Sequence, residues 1–280
     1  MKILIKQAKI IDSSSKHNNK ICDILINNNK IEKIAKKIQI DSDTKIFKSE
    51  NIHISQGWFD IHVNFGQPGF EHRETIENGL NVAAKGGFTE VLLMPNTKPC
   101  VDNSSMIDFI KSFDKKHIVN IQIAGNLTMS QEGKNIVEVN DMIDNGCIAF
   151  TDDKKSIQNN ELMKIALLYL KNSNALLMNF PNDEKIQNRG VINEGKVSTE
   201  LGLRGIPNIA EKMMLDRDIS LCKYTESKIH ESYISTRESV ERIKIAKEDG
   251  IKITCDVALH NIFLTEDYVN DFDTRYKVLP

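Results

Sequence analysis

The sequence predicts an α/β protein built on a parallel sheet, and three observations carry that prediction. From Gly57 onward, β-branched and apolar runs alternate with helical segments, the pattern of repeated βαβ units. Seven strands can be counted in that stretch. The residues before it break the rhythm and read as short strands alone, which marks a small β layer ahead of the main domain. A doubly wound sheet and a (β/α) barrel both satisfy the alternation, and a closed barrel requires about eight strands.

The elements follow in order. Met1 to Ile11 and Cys22 to Ile34 are rich in isoleucine, with Asn27-Asn28-Asn29 as a turn signal. The domain division expected is 1–54 for this small β-rich unit and 55–280 for the barrel. Phe59 to Phe65 reads as a strand, and Thr75 to Lys85 as a helix ending at Gly86-Gly87. Thr89 to Met94 is a strand that stops at Pro95, Asn103 to Phe113 a helix, and His117 to Ala124 a strand. Then come a helix over Ile136 to Asn145, a strand over Cys147 to Thr151, a helix over Asn160 to Lys171 and a strand over Ala175 to Phe180. Pro207 to Leu215 reads as helix, Lys228 to Ile234 as strand, Ser239 to Glu248 as helix and Lys252 to Ala258 as strand. The chain stops at Pro280 in a run that does not read as a domain end, so the eighth strand is expected to be missing.

Composition excludes several classes. Formal net charge is −2, which argues against a nucleic-acid surface. No apolar run reaches the roughly 18 residues of a membrane span, and Lys6 interrupts any signal-peptide core. A cytoplasmic location is the expectation. The five cysteines (Cys22, Cys100, Cys147, Cys222, Cys255) have no CxxC spacing and read as thiols in a reducing compartment.

Chemistry concentrates on the first barrel strand, Asp60-Ile61-His62-Val63-Asn64-Phe65. Side chains two apart on a strand share a face, so His62 and residue 64 look the same way. Two histidines there would clamp a transition metal, but the second position is Asn64. The surrounding segments are Gln67-Pro68-Gly69-Phe70-Glu71, Gly86-Gly87-Phe88-Thr89, Met94-Pro95-Asn96-Thr97, Ala149-Phe150-Thr151-Asp152-Asp153, Gly202-Leu203-Arg204-Gly205-Ile206-Pro207 and Ile234-Ser235-Thr236. In that order and spacing the chain resembles dihydroorotase of the amidohydrolase superfamily, essentially from end to end. The closing Tyr276 to Pro280 resembles a family segment cut short.

The resemblance implies a metal-dependent-hydrolase (β/α) TIM-type barrel, truncated before its eighth strand. It also implies interconversion of dihydroorotate and N-carbamoyl-aspartate by a hydroxide held between two zinc ions. Carried over residue by residue, it gives His62 as the first metal ligand and Asp153 as the bridging carboxylate, with Asp152 as the neighbouring alternative. Asn96 matches a substrate-binding asparagine. Asn64, Asn179 and Tyr233 stand where histidine ligands are expected, Gly66 where an arginine would grip the substrate carboxylate, and Leu279 where another asparagine would bind substrate. The catalytic aspartate of the family would lie beyond Pro280.

These replacements are unfavourable for zinc. An amide oxygen is a weak, hard donor, and a phenol with a pKa near ~10 is protonated at neutral pH. Glycine removes the planar fork that binds a carboxylate. Three other histidines are expected to be structural or solvent-exposed: His230, on the opposite strand face from Tyr233 if the strand is regular, His260 at the loop end of the last strand, and His72 in the loop after the first. The expectation is therefore a dihydroorotase homologue impaired in catalysis. It would act as a scaffold or assembly partner, with aspartate carbamoyltransferase or a second copy of itself as the partner. The alternative is an active metal-dependent amidohydrolase with a rearranged site.

Overall fold

The computed structural model describes residues 1–114, 117–173, 175–269 and 272–279. Pro280, the last residue of the closing segment noted above, lies outside the described residues. The chain divides into two compact units, Met1–Trp58 and Phe59–Pro280.

The first unit contains β1 (Lys2–Ile10), β2 (Ile21–Asn27), β3 (Lys30–Ala35), β4 (Lys45–Phe47) and β5 (His53–Ile54). The strand order is β3-β2-β1-β4, with β5 also pairing β1. The run Cys22 to Ile34 is two strands, because Asn28 and Asn29 both take positive φ (48° and 63°) and close a tight hairpin. The register of β1 against β2 shifts between Ile5 and Ala8. There the buried Asp23 carboxylate accepts the Gln7 and Ile38 amides. The short β4 and β5 carry too few residues to show a period in the sequence.

The second unit is a curled sheet of seven parallel strands among the described residues: β6 (Trp58–Val63), β7 (Phe88–Leu93), β8 (Asn120–Gly125), β9 (Cys147–Phe150), β10 (Leu176–Asn179), β13 (Lys228–Glu231) and β14 (Lys252–Cys255). A two-stranded ribbon of β11 (Ile192–Asn193) and β12 (Gly205–Ile206) lies outside it. The strands run β14-β13-β10-β9-β8-β7-β6, so each new strand adds beside the last and the two edges are β6 and β14. The expected barrel-type α/β fold is the one observed.

The helices are α1 (Ile76–Lys85), α2 (Ser104–Asp114), α3 (Val139–Asp144), α4 (Asn160–Leu170), α5 (Glu184–Gln187), α6 (Lys196–Glu200), α7 (Ile209–Thr225), α8 (Arg237–Glu248) and α9 (Leu259–Phe263). Their starts are chemically marked: Thr75, Asn159, Asp183 and Thr236 each accept backbone amides of the first turn. α7 runs to Thr225 rather than Leu215, because Leu215, Ile219 and Cys222 continue its buried stripe through the charged Asp216-Arg217-Asp218. The main core lies between sheet and helices and includes Val91, Leu93, Ile123, Phe150, Leu177, Ile229 and Ile253. The sheet's other, inner face is lined by Leu92, Met94, Ala124, Ala149 and Met178. No described helix is long and apolar enough to cross a membrane. The five cysteines are free, and burial pushes the Cys147 thiol up to about 12.

Candidate active site

The polar residues named from the sequence collect at the carboxyl ends of the strands, where enzymes of this architecture place their chemistry. They form two hydrogen-bonded groups that meet at Tyr233.

The first group joins β6, the loop after β7 and the loop after β9. Asn96 Nδ2 donates to Asn64 Oδ1 at 2.6 Å and to Asp153 Oδ2 at 2.7 Å. One amide group therefore spends both hydrogens on the two neighbouring oxygens. Asp153 is only 8% exposed, and its other oxygen, Oδ1, has no hydrogen-bond partner among the described residues. Burial raises its pKa, although His62 and Lys154 pull the other way.

The neighbouring Asp152 is engaged elsewhere. It is buried, and Oδ1 accepts the amides of Leu127 and Thr128 at 3.0 Å each while Oδ2 accepts the Thr128 hydroxyl. Asp152 thus holds the loop after β8, and the turn at Asp153 (φ 52°) sends the second carboxylate into the site.

The second group joins β6, β13 and β14. Asp256, just past β14, has one oxygen 3.1 Å from His62 Nδ1 and 2.8 Å from His230 Nε2. Its other oxygen accepts the Tyr233 amide at 2.7 Å. His230 Nδ1 faces Thr254 Oγ1 at 2.8 Å. Burial works against the Asp256 carboxylate, but the His230, His62 and Tyr233 hydrogen bonds hold its pKa far below the usual range. An ionised Asp256 can only accept, so both histidines donate to it, and the His62 Nε2 is left on the far side of its ring.

Here the structure corrects the regular-strand expectation for His230. β13 ends at Glu231, and Tyr233 takes positive φ (59°). That turn brings both side chains to His62, whose ring centroid is 4.4 Å from Tyr233 and 6.4 Å from His230. The Tyr233 phenol also lies against the Asn64 side chain. Burial, with Asp153, Asp256 and Asp60 around it, pushes its pKa well up, so it stays protonated. Lys154 Nζ stands 4.9 Å above the Tyr233 ring and donates to the Leu279 carbonyl at 2.5 Å.

Other expected positions lie elsewhere. Met178 packs on the inner face of β10, so Asn179 faces the helices. Its Nδ2 donates to the buried Asp218 of α7 at 2.8 Å, and its oxygen accepts the Ile157 amide at 3.4 Å. Gly66 sits in a tight loop where the Phe70 amide donates to the Gly66 carbonyl at 2.6 Å. A Cβ at 66 would meet the Phe70 carbonyl oxygen at 2.3 Å, so the backbone has closed over the place of the expected arginine.

Leu279 and His260 line a separate cavity of about 550 Å³, bounded also by Phe180, Ile206 and Arg237. His72 is exposed and packs edge-on to Phe70. Asp256, Thr254 and Lys154 were not singled out from the sequence. The signal available for the first two was their two-residue spacing on the last strand.

This donor set does not fit the zinc pair that the resemblance implies. His62 and Asp153 are the ligand candidates retained, and among the described residues no group of three or more His, Cys, Asp or Glu side chains is arranged to hold a metal ion. Asn64 Oδ1 and one Asp153 oxygen are engaged by the Asn96 amide, position 179 faces α7, and position 233 is a protonated phenol.

The chain is similar to known proteins in sequence and in fold. Residues 53–239 match the family model described as dihydro-orotase-like. The chain is 37% identical over 281 aligned positions to a dihydroorotase of Geobacter metallireducens, aligning 100% of this chain with 66% of that protein. It is 41% identical to a dihydroorotase of Caldicellulosiruptor saccharolyticus, 99% of this chain aligning with 65% of the relative. The L-hydantoinase (dihydropyrimidinase) of Arthrobacter aurescens superposes with a TM-score of 0.82 at 16% identity, covering 99% of this chain and 63% of the hydantoinase. A dihydropyrimidinase of Brevibacillus agri superposes with a TM-score of 0.77 at 17% identity, covering 98% and 60%. At these identities the structural likeness is one of fold. The chain spans just under two thirds of the length of the curated relatives it matches.

Proposed function

Because the chain belongs to the dihydro-orotase-like family, we propose that it is a dihydroorotase homologue that has given up the family reaction and serves pyrimidine biosynthesis in the cytoplasm as a scaffold or assembly partner. The observation that carries this reading is the Asn96 amide. It occupies Asn64 and Asp153 together, where the family would place metal-bound groups, so the protein's own hydrogen bonds satisfy side chains that a zinc pair would otherwise need. Gly66 supports it from the substrate side, because the loop leaves no room for a carboxylate-gripping side chain. The partner the family suggests is aspartate carbamoyltransferase, with a second copy of this chain as the other choice.

Incubation with N-carbamoyl-aspartate or dihydroorotate in the presence of zinc tests the reading, read together with co-elution against aspartate carbamoyltransferase on gel filtration. The expected result is no interconversion and a stable complex. Turnover lost on His62→Ala would instead favour an active amidohydrolase with a rearranged metal site. The observation favouring that second reading is the free, buried Oδ1 of Asp153.

A further inference from the structure

We propose that the outer face of α4, widened by Tyr224 of α7, is the surface through which two copies of this chain pair about a two-fold axis. The inference rests on the assembly part of the proposed function and gives it a place on the molecule.

Sequence comes first. The outer positions of α4 and of the turn after it, 161, 165, 168 and 172, recur at helical spacing and all face solvent. An amphipathic helix keeps such a stripe charged or polar. α8, on the other side of α7, does so with exposed Glu238, Glu241, Lys244 and Lys247. α4 instead runs Ile165-Ala166-Leu167-Leu168-Tyr169-Leu170 without a charge. Ala166, Leu167 and Leu170 lie in the core, while Leu168 remains 47% exposed and Tyr169 59%. A helix that is apolar all round is one that other protein covers.

The neighbouring helix extends the patch. α4 and α7 run side by side, tied at one end by Arg217 Nη1 donating to Asn160 Oδ1 at 3.3 Å. At the other end Lys171 Nζ lies 3.4 Å from Glu226 Oε2. Leu168 precedes Lys171 by three residues and Tyr224 precedes Glu226 by two, so both stand near the second tie. Tyr224 is 78% exposed. Soluble monomers rarely leave a contiguous apolar patch larger than a few hundred Å².

Area and charge select the occupant. The exposed parts of Ile165, Leu168, Tyr169 and Tyr224 come to roughly 500 Å². Two copies together hide roughly 1,000 Å², the size at which specific interfaces begin, before the polar rim is added. The stripe is also its own complement, with Glu161 at its start and Lys171 at its end. Antiparallel pairing about an axis between positions 165 and 168 sets Ile165 against Leu168 of the second copy. It also brings Glu161 beside the second copy's Lys171 and Lys164 over its Tyr169 ring. A partner surface of one charge would meet a like charge at one end of the stripe.

Sedimentation velocity of the full chain over a wide concentration range tests the interface. A monomer–dimer equilibrium is expected, and Leu168→Glu is expected to weaken it roughly 30-fold or more by burying an unpaired charge. Ile245→Glu, at a similarly exposed position of α8, is expected to leave it unchanged. Hydrogen exchange of the unmutated chain gives a readout free of substitutions: residues 160–171 are expected to exchange more slowly at high concentration than at low. A monomer at every concentration, a dimer insensitive to Leu168→Glu or equally weakened by Ile245→Glu, or no concentration-dependent protection of α4 would each overturn the proposal. An inactive monomer that still co-elutes with aspartate carbamoyltransferase would overturn this interface and leave the proposed function standing. A Leu168→Glu-sensitive dimer that interconverts dihydroorotate and N-carbamoyl-aspartate would do the reverse.

Discussion

His62 Nδ1 lies 3.1 Å from Asp256 Oδ2, and this contact ties β6 to the end of β14, the two edge strands of the curled sheet. The same oxygen holds His230 at 2.8 Å, so one carboxylate links the first strand of the sheet to the last two. Asp256→Asn keeps the shape but can accept only a neutral hydrogen bond, and it is expected to cost roughly 1.5–3 kcal/mol at pH 7, read from the urea midpoint. The folded-state pKa of Asp256 is lowered, so its contribution is present above the ordinary carboxylate pKa and is lost as pH falls below it. The gap between variant and wild type should therefore shrink below about pH 4.

Gly66→Arg restores the residue expected of a carboxylate grip, but its Cβ would meet the Phe70 carbonyl at 2.3 Å. The expected outcome is a loss of roughly 1–3 kcal/mol or more in thermal stability. Calorimetric titration with N-carbamoyl-aspartate should show no gain in binding.

Glu231 is fully buried, faces the helix layer beside Asp218, and both its carboxylate oxygens lack hydrogen-bond partners among the described residues. Burial and then Asp218 push its pKa well above the ordinary carboxylate value. A raised carboxylate favours the fold below its unfolded pKa and withdraws that stability as pH rises toward the folded one. Glu231→Leu should thus stabilise by roughly 1–3 kcal/mol at pH 7. The gain, followed by denaturant midpoints, should widen from pH 5 to pH 8.

The alternation of strands and helices was legible because β-branched runs and capping residues such as Thr75, Asn159 and Thr236 mark where each element begins. The site was legible in part. His62 and residue 64 were paired from their two-residue spacing, whereas Asn96, Asp153 and Tyr233, which lie beside them, were pointed to by the family resemblance alone. Asn179 did not join them because Leu176-Leu177-Met178 is apolar on both faces, which erases the two-residue period that would assign its side. His230 was placed on the wrong side because the left-handed turn at Tyr233 is carried by a residue that gives no glycine signal. Asp256 was missed because its role depends on β6, far away in sequence.

Asn179→His places a histidine at an expected ligand position, but it removes the amide that donates to Asp218 Oδ2 at 2.8 Å. Asp218 is fully buried and would keep Arg217, its 2.8 Å ion-pair partner, as its remaining contact. The variant is expected to lose roughly 1–3 kcal/mol and to bind no additional zinc, measured by chemical denaturation and by metal titration.

The most direct test of the account is the zinc content of the purified chain after incubation with excess zinc and removal of the unbound metal. Asn96 holding Asn64 and Asp153, with position 179 turned to α7, predicts far less than one zinc per chain. Two tightly held zinc ions per chain would contradict it.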